Sequence, residues 1–139
     1  MHLLNKQRLI DLYSNAIYTI EFISQVFEIS PKWENRSFLN FLRFNRISSW
    51  SLMTPENPNS TRFSEEENSR LRDLMSEELA MYKIFRSVGM DEDESYHEIG
   101  FFVANISREE VMRIGRKFNQ NAAIFGDQET EMEVLWTAP

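Results

Sequence analysis

A chain of 139 residues, 42% hydrophobic and 27% charged, has the length and composition of one globular domain and can bury roughly two-thirds of its unfolded surface. A net charge of −7 speaks against a general nucleic-acid binder, which carries a basic excess, and the absence of cysteine removes disulfides and thiolate metal sites. No run of about 18 apolar residues offers a membrane span, and MHLLNKQRLIDLY carries charges where a secretory signal needs an unbroken apolar core, so a cytoplasmic location is the expectation.

Residues 3 to 14 read as a short amphipathic helix, with Leu9, Ile10, Leu12 and Tyr13 set against Lys6, Arg8 and Asp11. In AIYTIEFISQVFEIS, Ala16, Tyr18, Ile20 and Phe22 alternate onto one face of a strand. Ser24-Gln25 is placed at the turn of a β-hairpin, although the pair is not a favoured two-residue turn, and Val26 to Ile29 form the return strand. Ser30-Pro31 reads as a helix start, a capping side chain followed by proline at the first helical position. Phe38, Phe41 and Leu42 carry that helix to about Phe44 on an i, i+3, i+4 stripe. Ser48 to Met53 is a short interior strand.

Thr54 to Phe63 is the strongly irregular loop. Behind it Ser64 and Glu67 have the spacing of a capping box, opening a helix with Leu71, Leu74, Met75 and Leu79 on one face. Asn68 lies three residues before Leu71 and shares that face. Its amide must find partners, because burying it unpaired costs about 1–3 kcal/mol. Met81 to Val88 is read as a strand, Gly89 to Tyr96 as a solvated acidic loop, and Ile99 to Val103 as a buried strand. Ser107 with Glu110 is a second capping box, and Val111, Ile114, Gly115 and Phe118 form the buried stripe of its helix. A glycine there implies close approach to the sheet, since glycine otherwise weakens a helix by about 1 kcal/mol. Ala122 to Phe125 is a strand, Gly126-Asp127 begins a turn, and Met132 to Trp136 is the last strand. The sum is a single α+β domain of about seven strands and four helices, the helices lying over one side of a mostly antiparallel or mixed sheet.

Four stretches carry a family resemblance: the loop TPENPNS, the helix start SEEENSR, the strand HEIGFFV, and SREEVMRIGRKFNQNAAIFG. They resemble the bacterial domain of unknown function 3293 family, most specifically in the Ser-capped helix, Gly115-Arg116, Phe118, Gln120 and the strand ending at Gly126. The chain departs from the family pattern at Glu56, where a Trp or similar residue is typical, at Asn119, where Gly is, and at Ile99-Gly100, where Pro-Ser is. The resemblance implies an element order and brings no established reaction.

Among chemistries, His2 and His97 with the Asp91–Glu94 run match no EF-hand spacing, and zinc would lack ligands. Nucleophilic catalysis needs a nucleophile beside a base, and neither Ser60 nor Thr61 has a nearby histidine in sequence. No phosphate-cradling GxxxxGK[ST] motif is present. No metal and no cofactor is expected. What remains is a polar set: Asn57, Asn59, Ser60, Asn68, Arg70, Glu98, Arg116, Gln120 and Asn121. Amides and guanidinium groups read planar polar ligands through paired donors and acceptors. The same residues also serve as turn formers, loop ties and helix caps. A geometric expectation separates the two: Asn57, Asn68 and Gln120 fall in one neighbourhood only if the strands before and after them present the same edge. Arg36, Arg43 and Arg46, with Arg62, read either as a basic patch suited to an acidic partner or, as is commoner for such residues, as a solvated helix face.

These readings lead to a small non-enzymatic binding or regulatory module for a protein partner or small polar ligand. The alternative is an enzyme on a nucleotide-like or other small polar substrate, with Glu98 as base and Arg116 as electrostatic clamp. A pocket holding Glu98 with a raised pKa favours the enzyme, and a flat polar surface favours a partner.

Overall fold

A computed structural model describes the backbone of residues 2–139 and the side chains of residues 6–139. The described residues form four α-helices, α1 (His2–Asn15), α2 (Arg36–Phe44), α3 (Glu65–Glu78) and α4 (Arg108–Lys117). Seven strands accompany them: β1 (Ile17–Glu21), β2 (Val26–Ile29), β3 (Ser49–Met53), β4 (Ile84–Met90), β5 (His97–Ala104), β6 (Ala122–Asp127) and β7 (Glu133–Trp136). All seven join one sheet in the order β2-β1-β4-β5-β3-β6-β7, and each neighbouring pair is antiparallel. This is the α+β architecture that the composition and patterning imply.

The helices cover both faces of the sheet, not one. Trp50, Leu52, Phe102 and Ile124 face Phe38 and Leu42 of α2. Their chain neighbours Met53, Val103, Ala123 and Phe125 face Met75 of α3 and its capping Leu79, and Val111 and Ile114 of α4 and its capping Phe118. The central strands therefore bury residues of both parities, which is why β5 and β6 read as unbroken apolar runs. The two helices opened by Ser64 and Ser107 share one face, as their stripes require. The α2 face is an aromatic cluster, with ring centroids 4.6 Å apart for Phe22–Phe41 and 5.2 Å for both Phe22–Phe102 and Phe38–Trp50.

Several local expectations change. Ser30-Pro31 opens a turn, not a helix: Trp33 N–H donates to Ser30 O at 3.0 Å, with proline at the position a β-turn favours. The Asn35 amide stitches that turn, donating to Ser30 O and Trp33 O, and α2 starts only after it. The hairpin turn centres on Ile23-Ser24, because Phe22 N–H donates to Gln25 O and Glu21 already pairs with Val26. The third shift matters most for the site. The β4–β5 ladder runs on to Gly89↔Glu98 and Met90↔His97, so Glu98 is a strand residue and the acidic loop shrinks to residues 91–96. Tyr18 pairs with Gly89 from the other side, and its ring lies where a Gly89 Cβ would be only 3.0 Å away.

Ser64 and Glu67 form the full capping box, with reciprocal bonds of 3.1 and 3.0 Å. Ser107 caps α4 through the Glu110 N–H at 3.1 Å, but the return bond is missing. The Glu110 carboxylate is held instead by a two-bond contact with Arg113. Replacing Ser107 by Ala should cost about 1 kcal/mol; an unchanged urea midpoint would show that the cap contributes nothing.

Gly115 is buried, as its stripe requires, but what approaches it is Thr137, just past β7. A Cβ at residue 115 would stand 2.9 Å from Thr137 Cγ2. Thr137 is itself fully buried and bonded to Gln120 O. Gly115→Leu should therefore destabilise by at least about 1 kcal/mol through overpacking. A neutral or stabilising result in denaturant unfolding would mean that α4 carries a free face there.

Candidate functional site

The site grows from one crossing. After β3 the chain passes over β5 at Gly100, where a Cβ would lie 2.2 Å from Met53 O. Only glycine permits that approach. Thr54 fixes the crossing by donating its hydroxyl to Ile99 O at 2.7 Å. The following loop, Thr54–Phe63, then lies between the start of α3 and the α4–β6 joint.

Its backbone is strained. Asn57 has φ 50°, and Asn59 and Ser60 have φ 58°. Asn57 also precedes Pro58, which disfavours helical conformations in the residue before it. Side-chain bonds hold this shape. Asn57 N–H donates to Asn68 Oδ1 at 3.0 Å, and Asn68 Nδ2 returns a bond to Asn57 Oδ1 at 3.1 Å. Phe63 N–H donates to the same Asn57 oxygen at 2.8 Å. On the far side, Gln120 Nε2 donates to Glu56 O at 3.0 Å. Asn57, Asn68 and Gln120 are each 6% exposed. The three amides thus share one neighbourhood, because β3 and β6 are adjacent in the sheet and their loops meet at one end.

The charged layer lies alongside. Asn57 Nδ2 donates to Glu98 Oε2 at 3.0 Å and to Tyr96 Oη at 2.6 Å, and the Tyr96 hydroxyl donates to the same Glu98 oxygen at 2.6 Å. Burial pushes the Glu98 carboxyl above its ordinary range; the Tyr96 and Asn57 bonds pull it back, and the nearby Glu56 charge raises it further. Burial and then the Glu98 charge push Tyr13 up, and Tyr96 is raised by burial first and by Glu98 second. Both phenols stay protonated donors. Tyr18, in register with Gly89 and Glu98, is raised well above its ordinary range by burial, Tyr13 and Glu98.

Glu56 is 5% exposed and is paired with Arg72, which also bonds Glu65 at 2.6 Å. Burial raises the Glu56 carboxyl even so, outweighing the Arg72 bond. The pair locks the loop onto the second turn of α3.

The polar set expected from sequence divides in three. Asn57, Asn68, Glu98 and Gln120 come together as described. Asn59, Ser60 and Asn121 lie on the solvent flank of the same loop: Asn59 N–H donates to Asn119 O at 2.7 Å, and Asn121 Nδ2 donates to Ser60 Oγ at 2.7 Å. Arg70 and Arg116 do not join. Arg70 is exposed on α3, two positions out of phase with the buried amide. Arg116 Nε donates to Thr137 O at 3.0 Å, beyond β7 and three strands along the sheet from Glu98. The arginine that belongs here is Arg72, four residues after Asn68 and so on its helix face. Glu56 and Tyr96 were also missed; Tyr96 was legible only once the end of β5 was placed correctly.

In chemical terms the amides have a structural occupation. Among the described residues no buried side-chain nitrogen or oxygen lacks a partner. The bonds to Glu98 fall on Oε2 alone. Among the described residues Glu98 Oε1 receives no bond, and the half-exposed Tyr96 ring lies beside it.

A search for similar proteins bears on this segment. The family model described as Protein of unknown function (DUF3293) matches residues 53–123, from the last residue of β3 into β6, and so contains the whole of the loop, Glu98, Arg72 and Gln120. No curated protein and no solved structure matches the chain. The matched segment covers just over half of the sequence, and the chain belongs to the DUF3293 family of proteins of unknown function.

Proposed function

We propose that the protein is a non-enzymatic binding or regulatory module that uses Glu98 to hold a hydrogen-bond-donating or cationic group of a protein partner or small polar ligand. The observation that carries this reading is the one-sided bonding of Glu98: among the described residues both donors meet Oε2, leaving Oε1 as an acceptor. Asn57, Asn68 and Gln120 act as the frame that fixes the carboxylate, since their bonds are made within the fold. An acidic partner surface is disfavoured here, because residues 91–94 are all carboxylates beside the strand that carries Glu98.

The second reading, an enzyme with Glu98 as general base on a nucleotide-like or other small polar substrate, is favoured by the raised carboxyl. Two features weigh against it. Two cavities, of about 590 and 410 Å³, are lined by residues other than Glu98, and Arg116, the clamp of this reading, is committed to Thr137. Mass spectrometry of small molecules and proteins retained by purified wild type and Glu98→Gln tests the proposal. A cationic or donor-rich ligand or partner should stay with wild type and leave Glu98→Gln, whose melting temperature does not fall. Equal retention by both, or none by wild type, overturns it. Turnover abolished by Glu98→Gln establishes the enzyme instead.

A further inference from the structure

A second surface lies on the opposite end of β4 and is independent of Glu98. A groove of about 590 Å³ runs between the C-terminal end of α2 and the turn that joins α3 to β4. Phe22, Phe41 and Phe85 line it, their rings already in contact at 4.6 and 4.8 Å between centroids. Met81, which lines it, is 83% exposed, and Phe44, one residue before the lining Asn45 in the sequence, is 88% exposed. Ile23, in the hairpin turn next to Phe22, is 92% exposed. An apolar surface that extends past a cavity in this way marks a macromolecular contact more than a small-molecule pocket.

Charge identifies the occupant. The chain carries −7 overall, yet no carboxylate lines this groove and Lys83 does. Lys83 Nζ sits 5.9 Å from the Phe85 ring centroid. Arg46, between the lining residues Asn45 and Ile47, is exposed. Neither cation forms an ion pair among the described residues, although seven other basic side chains do. We propose that the groove docks an acidic amphipathic segment of a partner protein, an apolar side chain filling the space between Phe41 and Met81 while flanking carboxylates meet Lys83 and Arg46.

Selection from a random-peptide phage library on the full chain tests this, followed by affinity measurements on the enriched peptides. The selected peptides should join an aromatic or long aliphatic residue to neighbouring Asp or Glu, and their binding should weaken at high salt. Lys83→Glu should lower affinity by about tenfold through the lost steering and pairing. The double variant Phe44→Ser, Met81→Ser should abolish binding. All three positions are exposed, so melting temperature should not move, and an intact melt separates lost docking from lost folding. Absence of any enriched peptide, enrichment of basic or uncharged peptides, or equal affinity for the variants overturns the proposal. Self-association that Phe44→Ser abolishes, seen by analytical ultracentrifugation, assigns the groove to a second copy of the chain instead.

Discussion

Glu56→Ala is expected to lower the unfolding free energy by about 3–5 kcal/mol, the range for removing one partner of a buried ion pair. The magnitude follows from burial. The Glu56 side chain is 6% exposed and that of Arg72 is 17% exposed, so deleting the carboxylate leaves a guanidinium in poor solvent with only the exposed Glu65 to meet it. The backbone carbonyl of residue 56, which Gln120 holds, survives the substitution, so the loop should loosen from α3 first. The paired variant Glu56→Ala, Arg72→Met should recover much of the loss, because it removes both charges together. A loss within about 1 kcal/mol for Glu56→Ala, the scale of an exposed pair, would show that the contact is solvated and does not anchor the loop.

Asn68→Ala should destabilise by about 2–3 kcal/mol, since each unpaired buried polar group costs about 1–3 kcal/mol. It orphans the Asn57 N–H and removes one of the two donors to Asn57 Oδ1. Those bonds also offset the left-handed backbone at Asn57, Asn59 and Ser60. The loop should open before the rest of the molecule. In hydrogen exchange the amides of Asn57 and Phe63 should lose protection while those of β5 keep theirs. Unchanged stability with unchanged protection would remove Asn68 from the frame and leave its burial without an explanation.

Much of this was readable from residues because the causes are local or topological. Ser64 and Glu67 announce the start of α3 at fixed spacing, and no distant contact overrides them. The meeting of Asn57, Asn68 and Gln120 was also legible, since it needs only β3 and β6 to be neighbours. Errors arose where tertiary contacts decide. Ser30-Pro31 has the chemistry of a helix start, but the Asn35 amide closes a turn around it. Glu110 has capping-box spacing, but Arg113 and Glu78 form a charge network that claims it. The Arg70–Arg72 exchange was avoidable: once Asn68 is placed on the buried face, Arg72 shares that face and Arg70 does not. Glu98 was assigned to the right site but at a strand margin, because Gly89 and His97 carry no strand signal and only pairing with Tyr18 and Met90 recruits them. The two-sided cover of the sheet was hidden for a related reason, as Leu52-Met53 and Ile124-Phe125 show no alternation to reveal which face is buried.

The role proposed for Glu98 requires that its carboxyl be buried at a cost to the fold. Burial places its folded pKa above the ordinary 4.5. The folded chain therefore binds this proton more readily than the unfolded chain, and between the two values stability rises as pH falls. At pH 7 the unfolded chain keeps this carboxylate in water, and the folded chain bears the cost of burying it. The depressed carboxylates Glu67, Glu78 and Glu110 have the opposite slope, losing stability as pH falls below the ordinary value, but they are common to wild type and variant and cancel in the difference. Denaturant unfolding of wild type and Glu98→Gln from pH 7 to pH 4 measures that difference directly. The amide oxygen of Gln can keep the Tyr96 and Asn57 bonds, so Glu98→Gln should be the more stable protein at pH 7, and its advantage should shrink as pH falls toward 4.5. A Glu98→Gln protein less stable than wild type at pH 7, or a difference that does not change with pH, would contradict the account.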